Sequence, residues 1–229
     1  PALSHVGLVI FDEFHERSLQ ADLGLALCLD CQANLREDLR IVVMSATLDV
    51  DPVSALMGDA PVIVSEGLAF PVETRYLGKP HVGRFKDGFC PGVASAIKQA
   101  LRDETGSILA FLPGEGEIRR VEKLLKESVF ANTVHIFPLY GSLPQNQQDQ
   151  AISPAQKGQR KIVLASSIAE TSLTIEGIRV VIDGGLSRVP RFDPGSCMTR
   201  LITEPVSIAA ATQRQGRAGR LEPGICYRL

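Results

Sequence analysis

The chain has 229 residues with 24 Lys and Arg against 26 Asp and Glu, so its net charge of -2 exerts no global pull on nucleic acid or membrane, and any polyanion site must be local. With 45% hydrophobic and 5% aromatic residues it can bury one large core or two modest ones. The longest apolar runs, VGLVIF and KIVLAS, fall far short of the roughly 18 residues of a membrane span, and no leader pattern is visible, so no membrane partner is expected.

In chain order, the hydrophobic pattern predicts strand HVGLVIF, helix LQADLGLALCLDCQANL, strand RIVVMSA, a short helix near DPVSALM and strand APVIVS. That alternation implies parallel strands with crossover helices. The helix carries a C-x-x-C, Cys28 and Cys31, without a second Cys pair or nearby His, which suits packing on a helix face better than zinc or redox chemistry. An odd total of 5 Cys in a chain of this size favours reduced thiols and a cytoplasmic setting. FPVETRYLGKPHVGRFKDGFCPG reads as an extended linker, with a domain boundary between residues 1–74 and 75–229.

A second α/β series follows: helix GVASAIKQALRDE, strand SILAFLP, helix EGEIRRVEKLLKES, strand TVHIFPLY, helix PQNQQDQAI, then strands RKIVLAS and IRVVIDGG. SRVPRFDPGSCMTRLITEP, two strand-like runs around a Pro-Gly turn, predicts a β-hairpin. A helix through AAATQRQGRAGR and a strand GICYR complete the series. The chain begins at Pro1 close to a strand, and an excerpt from a longer protein is expected.

Four stretches carry chemistry. VGLVIFDEFHERS drives a buried strand into adjacent carboxylates, the arrangement by which Asp12 could hold a nucleotide-bound Mg²⁺ and Glu13 could orient or deprotonate an attacking water. A solvated strand end before a helix cap gives the same local pattern. IVVMSATLD ends the next strand in Ser45 and Thr47, hydroxyls that a crossover would bring to the Asp12 edge. In QRQGRAGR, Arg217 and Arg220 are three apart, hence on one helical face, while Gly216, Ala218 and Gly219 permit close approach of a ligand or another backbone. Arg supplies planar donors for phosphate; a basic surface helix is the alternative. ASSIAETSLTIEGI offers Ser166, Ser167, Thr171, Ser172 and Thr174 for sugar-phosphate, or a polar turn-forming loop.

Together DEFH, SAT, LAFLPGEGEI, PLYGSLP, ASSIAETSLTIEGI and QRQGRAGR resemble, in order, motifs II to VI of superfamily-two DEAH-type helicases, and Phe14 with HERSLQADLGLAL is similar to the bacterial HrpB-like branch. The resemblance spans essentially the whole chain. It implies an α/β fold of two RecA-like parallel-sheet domains, the first incomplete at its N-terminus, with ATP and Mg²⁺ in a cleft and nucleic acid, RNA ahead of DNA, across their tops. By position it implies Mg²⁺ and water roles for Asp12 and Glu13 and a link to the partner domain through His15. Ser45 and Thr47 correspond to the motif coupling hydrolysis to unwinding. Gln213, Arg217 and Arg220 correspond to water-orienting and γ-phosphate residues, with Gly177, Asp183 and Gly216 on the nucleotide side. Ser166 and Thr171 correspond to strand-gripping positions, and the hairpin from Arg188 to Thr203 to a duplex-splitting wedge. Ser166-Ser167 stands where Thr-Asn is usual, and Gln215 where Ala is common.

No G-x-x-x-x-G-K followed by Ser or Thr occurs, so these residues lack the phosphate-cradling loop, and alone they are expected to be inactive. The implied function is that of a central part of an ATP-dependent RNA or DNA helicase, acting with the rest of its parent. The competing reading is a helicase-derived module that binds nucleic acid or protein without hydrolysis.

Overall fold

The computed structural model describes residues 3–45, 50–65, 70–78, 88–128, 133–170 and 175–229. The chain forms two compact units, Pro1–Gly67 and Leu68–Leu229. In the first, strand β1 (Leu8–Phe11) crosses through helix α1 (Leu19–Asn34) to strand β2 (Arg40–Val43), which pairs parallel with β1 from Leu8↔Arg40 to Phe11↔Val43. Ser18 starts α1 by accepting the Ala21 amide at its hydroxyl, and Asp22 in the first turn complements the helix dipole. The helix buries Leu25 and Cys31, so the C-x-x-C does serve packing at Cys31. Helix α2 (Val50–Leu56) follows.

Residues 60–65 do not form the expected strand. The sheet of β1 and β2 has no third member among the described residues, and Ile63 is 93% exposed. A β-branched run becomes a strand only when a neighbour takes up its amides and carbonyls, which local sequence cannot reveal.

The second unit is built on a parallel sheet of six strands in the order β3 (Val72–Tyr76), β10 (Gly224–Arg228), β7 (Ile178–Asp183), β4 (Ser107–Phe111), β6 (Arg160–Ala165) and β5 (Val134–Leu139). Every residue of central β4 is buried, as expected where helices cover both faces of a parallel sheet. Side chains alternate between two cores. Ile108, Ala110, Ile162, Leu164, Val180 and Ile182 meet helices α3 (Phe89–Asp103) and α4 (Glu115–Lys126), which supply Val93, Ile97, Ala100, Ile118, Val121 and Leu125 at helical spacing. Leu109, Phe111, Val163, Ala165, Val181 and Cys226 face the other way, toward Ala151 of helix α5 (Gln145–Ile152), Ala169, Ile175 and Ala218. Lys161 ends α5: buried in β6, its ammonium donates to the carbonyls of Gln150, Ala151 and Ser153 and lies 4.5 Å from the Phe137 ring.

Two sequence expectations are corrected in this unit. Residues 72–76, taken as linker, form edge strand β3, and a boundary after residue 74 would cut through it; the units divide at Gly67 and Leu68 instead. Val-Glu-Thr-Arg-Tyr is a strand because β10 supplies its ladder from far along the chain. The helix expected through residue 220 stops earlier: α6 spans Ile208–Gly216, with Arg217 as its C-cap. Its glycines weaken it, and the backbone beyond it is engaged elsewhere, Gly219 accepting the Phe70 amide through its carbonyl. A Cβ on Gly219 would stand 2.5 Å from the Phe70 carbonyl oxygen, so the close approach requires glycine. The predicted hairpin is present as strands β8 (Leu186–Asp193) and β9 (Met198–Pro205), paired antiparallel.

Because Ile162 is fully buried between β4, α3 and α4, Ile162→Ala should destabilise the second unit by about 2–5 kcal/mol, measured as a lower denaturant midpoint with an unchanged slope.

Candidate functional site

In the first unit the parallel pairing brings the ends of β1 and β2 together. Met44 donates its amide to the Phe11 carbonyl, and Phe14 donates its own to Met44. Asp12 is exposed at this edge, its Oδ1 accepting the Glu13 amide at 2.8 Å. Glu13 has φ 50° and ψ 37°, a left-handed conformation costing a side-chain-bearing residue about 1–2 kcal/mol. It opens a 3-10 turn, Phe14–Glu16, and lies next to His15, whose Nε2 is 3.4 Å from Glu13 Oε2. The His15 side chain is 4% exposed, and its Nδ1 shares a 3.3 Å hydrogen bond with Ser45 Oγ. The DEFH and SAT stretches thus meet, as the crossover argument anticipates. Thr47 lies outside the described residues. Phe14, 3% exposed, anchors the turn edge-on to Phe11, with the Arg17 guanidinium 5.5 Å from its ring centre.

In the second unit the candidates separate along the strand direction. Ser166 follows the end of β6, donating its amide to the Leu139 carbonyl, and Asp183 ends β7, so both occupy the C-terminal edge of the sheet. Thr171 lies outside the described residues. Gly177 precedes β7 at the opposite edge; its φ of +75° is a conformation that favours glycine. The turn after α6 reaches that same edge, since it leads into β10, which runs parallel beside β7. Gly216 has open space around its Cα, Gln213 is half-buried and Arg220 is exposed. Arg217 is 7% exposed, and its guanidinium donates to the Glu170 carbonyl. The single helical face expected for Arg217 and Arg220 is therefore replaced by a C-cap and a following turn.

Asp183, expected on the nucleotide side, is engaged within the fold. It is fully enclosed: Oδ1 accepts from Arg214 Nη1 at 2.8 Å and from the Gly185 amide at 2.9 Å, while Oδ2 lies 3.7 Å from Arg228 Nε. A carboxylate bonded in this way joins the end of β7 to α6 and to the turn that follows β7. Neighbouring Cys226 reports the same surroundings, its thiol pushed up to about 12 by burial and then by the Asp183 charge. Arg188 is also occupied: its guanidinium donates to Glu117 Oε1 at 3.0 Å, tying the hairpin root to the first turn of α4.

Sequence reasoning passed over Arg214, the centre of this arrangement. Its side chain has no exposure, donates to Glu170 Oε1, Asp183 Oδ1 and the Leu186 carbonyl, and lies 5.0 Å from the Phe111 ring centre. The available signal was a third Arg in QRQGRAGR, with acidic residues in the hydroxyl-rich segment and at the end of β7 to receive it. Among the described residues no cluster of three or more His, Cys, Asp or Glu side chains could hold a metal unaided, and no helix is long and apolar enough to cross a membrane.

Residues 92–222 match the helicase conserved C-terminal domain, more than half of the chain, and the chain belongs to that family of helicases. The expected DEAH/DExH kinship holds within it. The ATP-dependent RNA helicase HrpB of Escherichia coli is 58% identical over 229 residues, which is 100% of this chain and 28% of that protein. HrpA of Borreliella burgdorferi is 39% identical over 97% of this chain and 27% of its own length. The pre-mRNA-splicing factor ATP-dependent RNA helicase prp22 of Schizosaccharomyces pombe is 38% identical over 100% of this chain and 20% of its own. The crystal structure of E. coli DExH-box NTPase HrpB matches with a TM-score of 0.88 at 58% identity, covering 100% of this chain and 28% of that one. The chain thus spans less than a third of these relatives.

Arg214→Ala would leave Asp183 and Glu170 without their principal cation inside the fold. It should lower stability by about 3–5 kcal/mol, read from chemical denaturation, whereas truncation of exposed Arg191 on the hairpin should change it by less than about 0.5 kcal/mol.

Proposed function

We propose that this chain forms the central part of an ATP-dependent RNA helicase, in which hydrolysis of ATP drives movement along single-stranded or partly duplex nucleic acid. The observation that carries the reading is the convergence of Asp12, Glu13, His15 and Ser45 at the joined ends of β1 and β2. On this reading the first unit, Pro1–Gly67, belongs to the ATP-binding domain, and the second, Leu68–Leu229 with β3, to the helicase C-terminal domain. The odd cysteine count supports a cytoplasmic setting.

The donor set suits Mg²⁺. That ion takes one or two protein carboxylates and completes its octahedron with phosphate oxygens and waters, so Asp12 with adjacent Glu13 is sufficient without a larger protein cluster. Bound to ATP, Mg²⁺ would neutralise charge on the phosphate oxygens. Glu13, directed by its left-handed backbone and flanked by His15, orients water and accepts its proton. Arg217 and Arg220 offer planar donors to phosphate oxygens, Gln213 assists in placing the water, and Gly177 and Gly216 let the nucleotide approach the backbone. Ser45 and Thr47 couple this centre to strand movement. Ser166, Thr171 and Arg188 belong to the nucleic-acid side, where contact with sugar and phosphate requires no reading of base sequence. Asp183 serves this side indirectly, by holding Arg214.

In the full-length protein, Glu13→Gln should reduce turnover stimulated by single-stranded oligouridylate by about 10²–10⁴-fold, with ATP affinity retained. Loss of ATP binding with no change in turnover per bound ATP would defeat the assignment, and absence of stimulated hydrolysis in the unsubstituted protein would favour a binding module. Arg220→Ala should lower turnover by about 10³–10⁵-fold while leaving oligouridylate affinity within a few-fold. The reverse pattern would move Arg220 to the nucleic-acid surface.

A further inference from the structure

Glu170 stands where two sets of contacts meet. Its carboxylate oxygen Oε1 accepts from Arg214 Nε at 2.8 Å and also from Arg214 Nη2, while its backbone carbonyl accepts from Arg217. The residue directly follows the 3-10 turn Ser167–Ala169, in the segment opened by Ser166, whereas Arg214 lies in the last turn of α6 and Arg217 caps it. One residue of the hydroxyl-rich segment therefore holds both arginines, one through its side chain and the other through its main chain.

The attachments are well enclosed. The Glu170 side chain is 13% exposed and that of Arg214 has no exposure, so water is a poor substitute for either partner. Arg214 is fixed in turn by Asp183 and by the Leu186 carbonyl at the root of the hairpin. Against that fixed point, a shift of residues 166–170 alters the Arg217 contact at once, because the Glu170 carbonyl belongs to the moving backbone. Misplacement of a reacting group by about 1 Å can cost about 10²-fold in rate, so a small shift suffices.

We propose that Glu170 is a positioning residue: engagement of residues 166–170 by single-stranded nucleic acid sets, through the Glu170 clamp on Arg214 and Arg217, where Arg217 stands relative to the nucleotide. The inference rests on the helicase reading above and deepens it, by naming the residue through which strand binding is felt at the phosphate side. Isosteric Glu170→Gln keeps the backbone carbonyl but removes the charge that holds Arg214, and so separates the clamp from the rest of the segment.

Two measurements on the full-length protein test it. The first compares ATP hydrolysis with and without saturating oligouridylate. Glu170→Gln should lower the stimulation ratio about tenfold, within the 5–150-fold range of coupling between sites, and leave the oligouridylate Kd within about threefold. A merely structural role would depress stimulated and unstimulated rates together and keep their ratio, which would overturn the proposal. A large rise in Kd with the ratio retained would also overturn it, by making Glu170 a direct strand contact. The second measurement needs neither a variant nor hydrolysis: amide hydrogen exchange of the unsubstituted protein, with and without oligouridylate. Protection should change both at residues 166–170 and along residues 208–220. A change confined to 166–170 refutes the coupling alone, and no change in either segment refutes both the coupling and the strand-binding role of this edge.

Discussion

The second unit depends on one buried guanidinium. Arg214 is enclosed entirely, and each of its partners belongs to a different stretch of chain: Glu170 after β6, Asp183 at the end of β7, and Leu186 at the start of the hairpin. A fully desolvated arginine is tolerable only where its donors are met, and three partners together with the Phe111 ring meet them here. The same requirement fixes the relative positions of those stretches. Hydrophobic burial would hold the sheet together over a range of small displacements, while bonds of about 2.8 Å from one planar group admit very few.

That constraint organises the rest of the candidate chemistry. α6 enters beside Gly185, where Val206 donates its amide, and its end turns into β10 at the opposite edge of the sheet. It therefore links a face bearing Ser166, Glu170 and the hairpin root to a face bearing Gly177 and Arg220. In the first unit a shorter link serves the same end: His15 joins the carboxylate side of β1 to the hydroxyl side of β2 through contacts at its two ring nitrogens. Both units thus place a buried or nearly buried cationic or titratable side chain between two polar edges.

Much of this was legible beforehand, where the signal was local and strong. SILAF and RKIVLA read as strands because burial on both faces demands continuous apolar runs, and the hairpin announced itself through Pro194-Gly195 between strand-like flanks. The failures involve information held elsewhere in the chain. β3 is polar at Glu73 and Arg75 because it is an edge strand, and only its pairing with β10 makes it a strand at all. Residues 60–65 have the composition of a strand without a partner among the described residues. Arg217 and Arg220 were placed on one face by helical spacing, which Gly216 and the Gly219 contact with Phe70 bring to an end. Asp183 was placed on the nucleotide side by resemblance alone, and the arginine that encloses it lies 31 residues later.

The β3–β10 pairing has a consequence for how the protein is made. Arg75 and Tyr227 face each other across this ladder and are separated by 152 residues, yet β10 separates β3 from every other strand of the sheet. On a ribosome adding about 5–20 residues per second, β3 therefore waits for roughly 8–30 s before β10, its neighbour among the described residues, is synthesised. During that interval its amides and carbonyls lack the β10 ladder. The charged pair Glu73 and Arg75, bonded to each other at 2.8 Å, keeps such an orphan strand hydrated and discourages its premature association with other nascent chains.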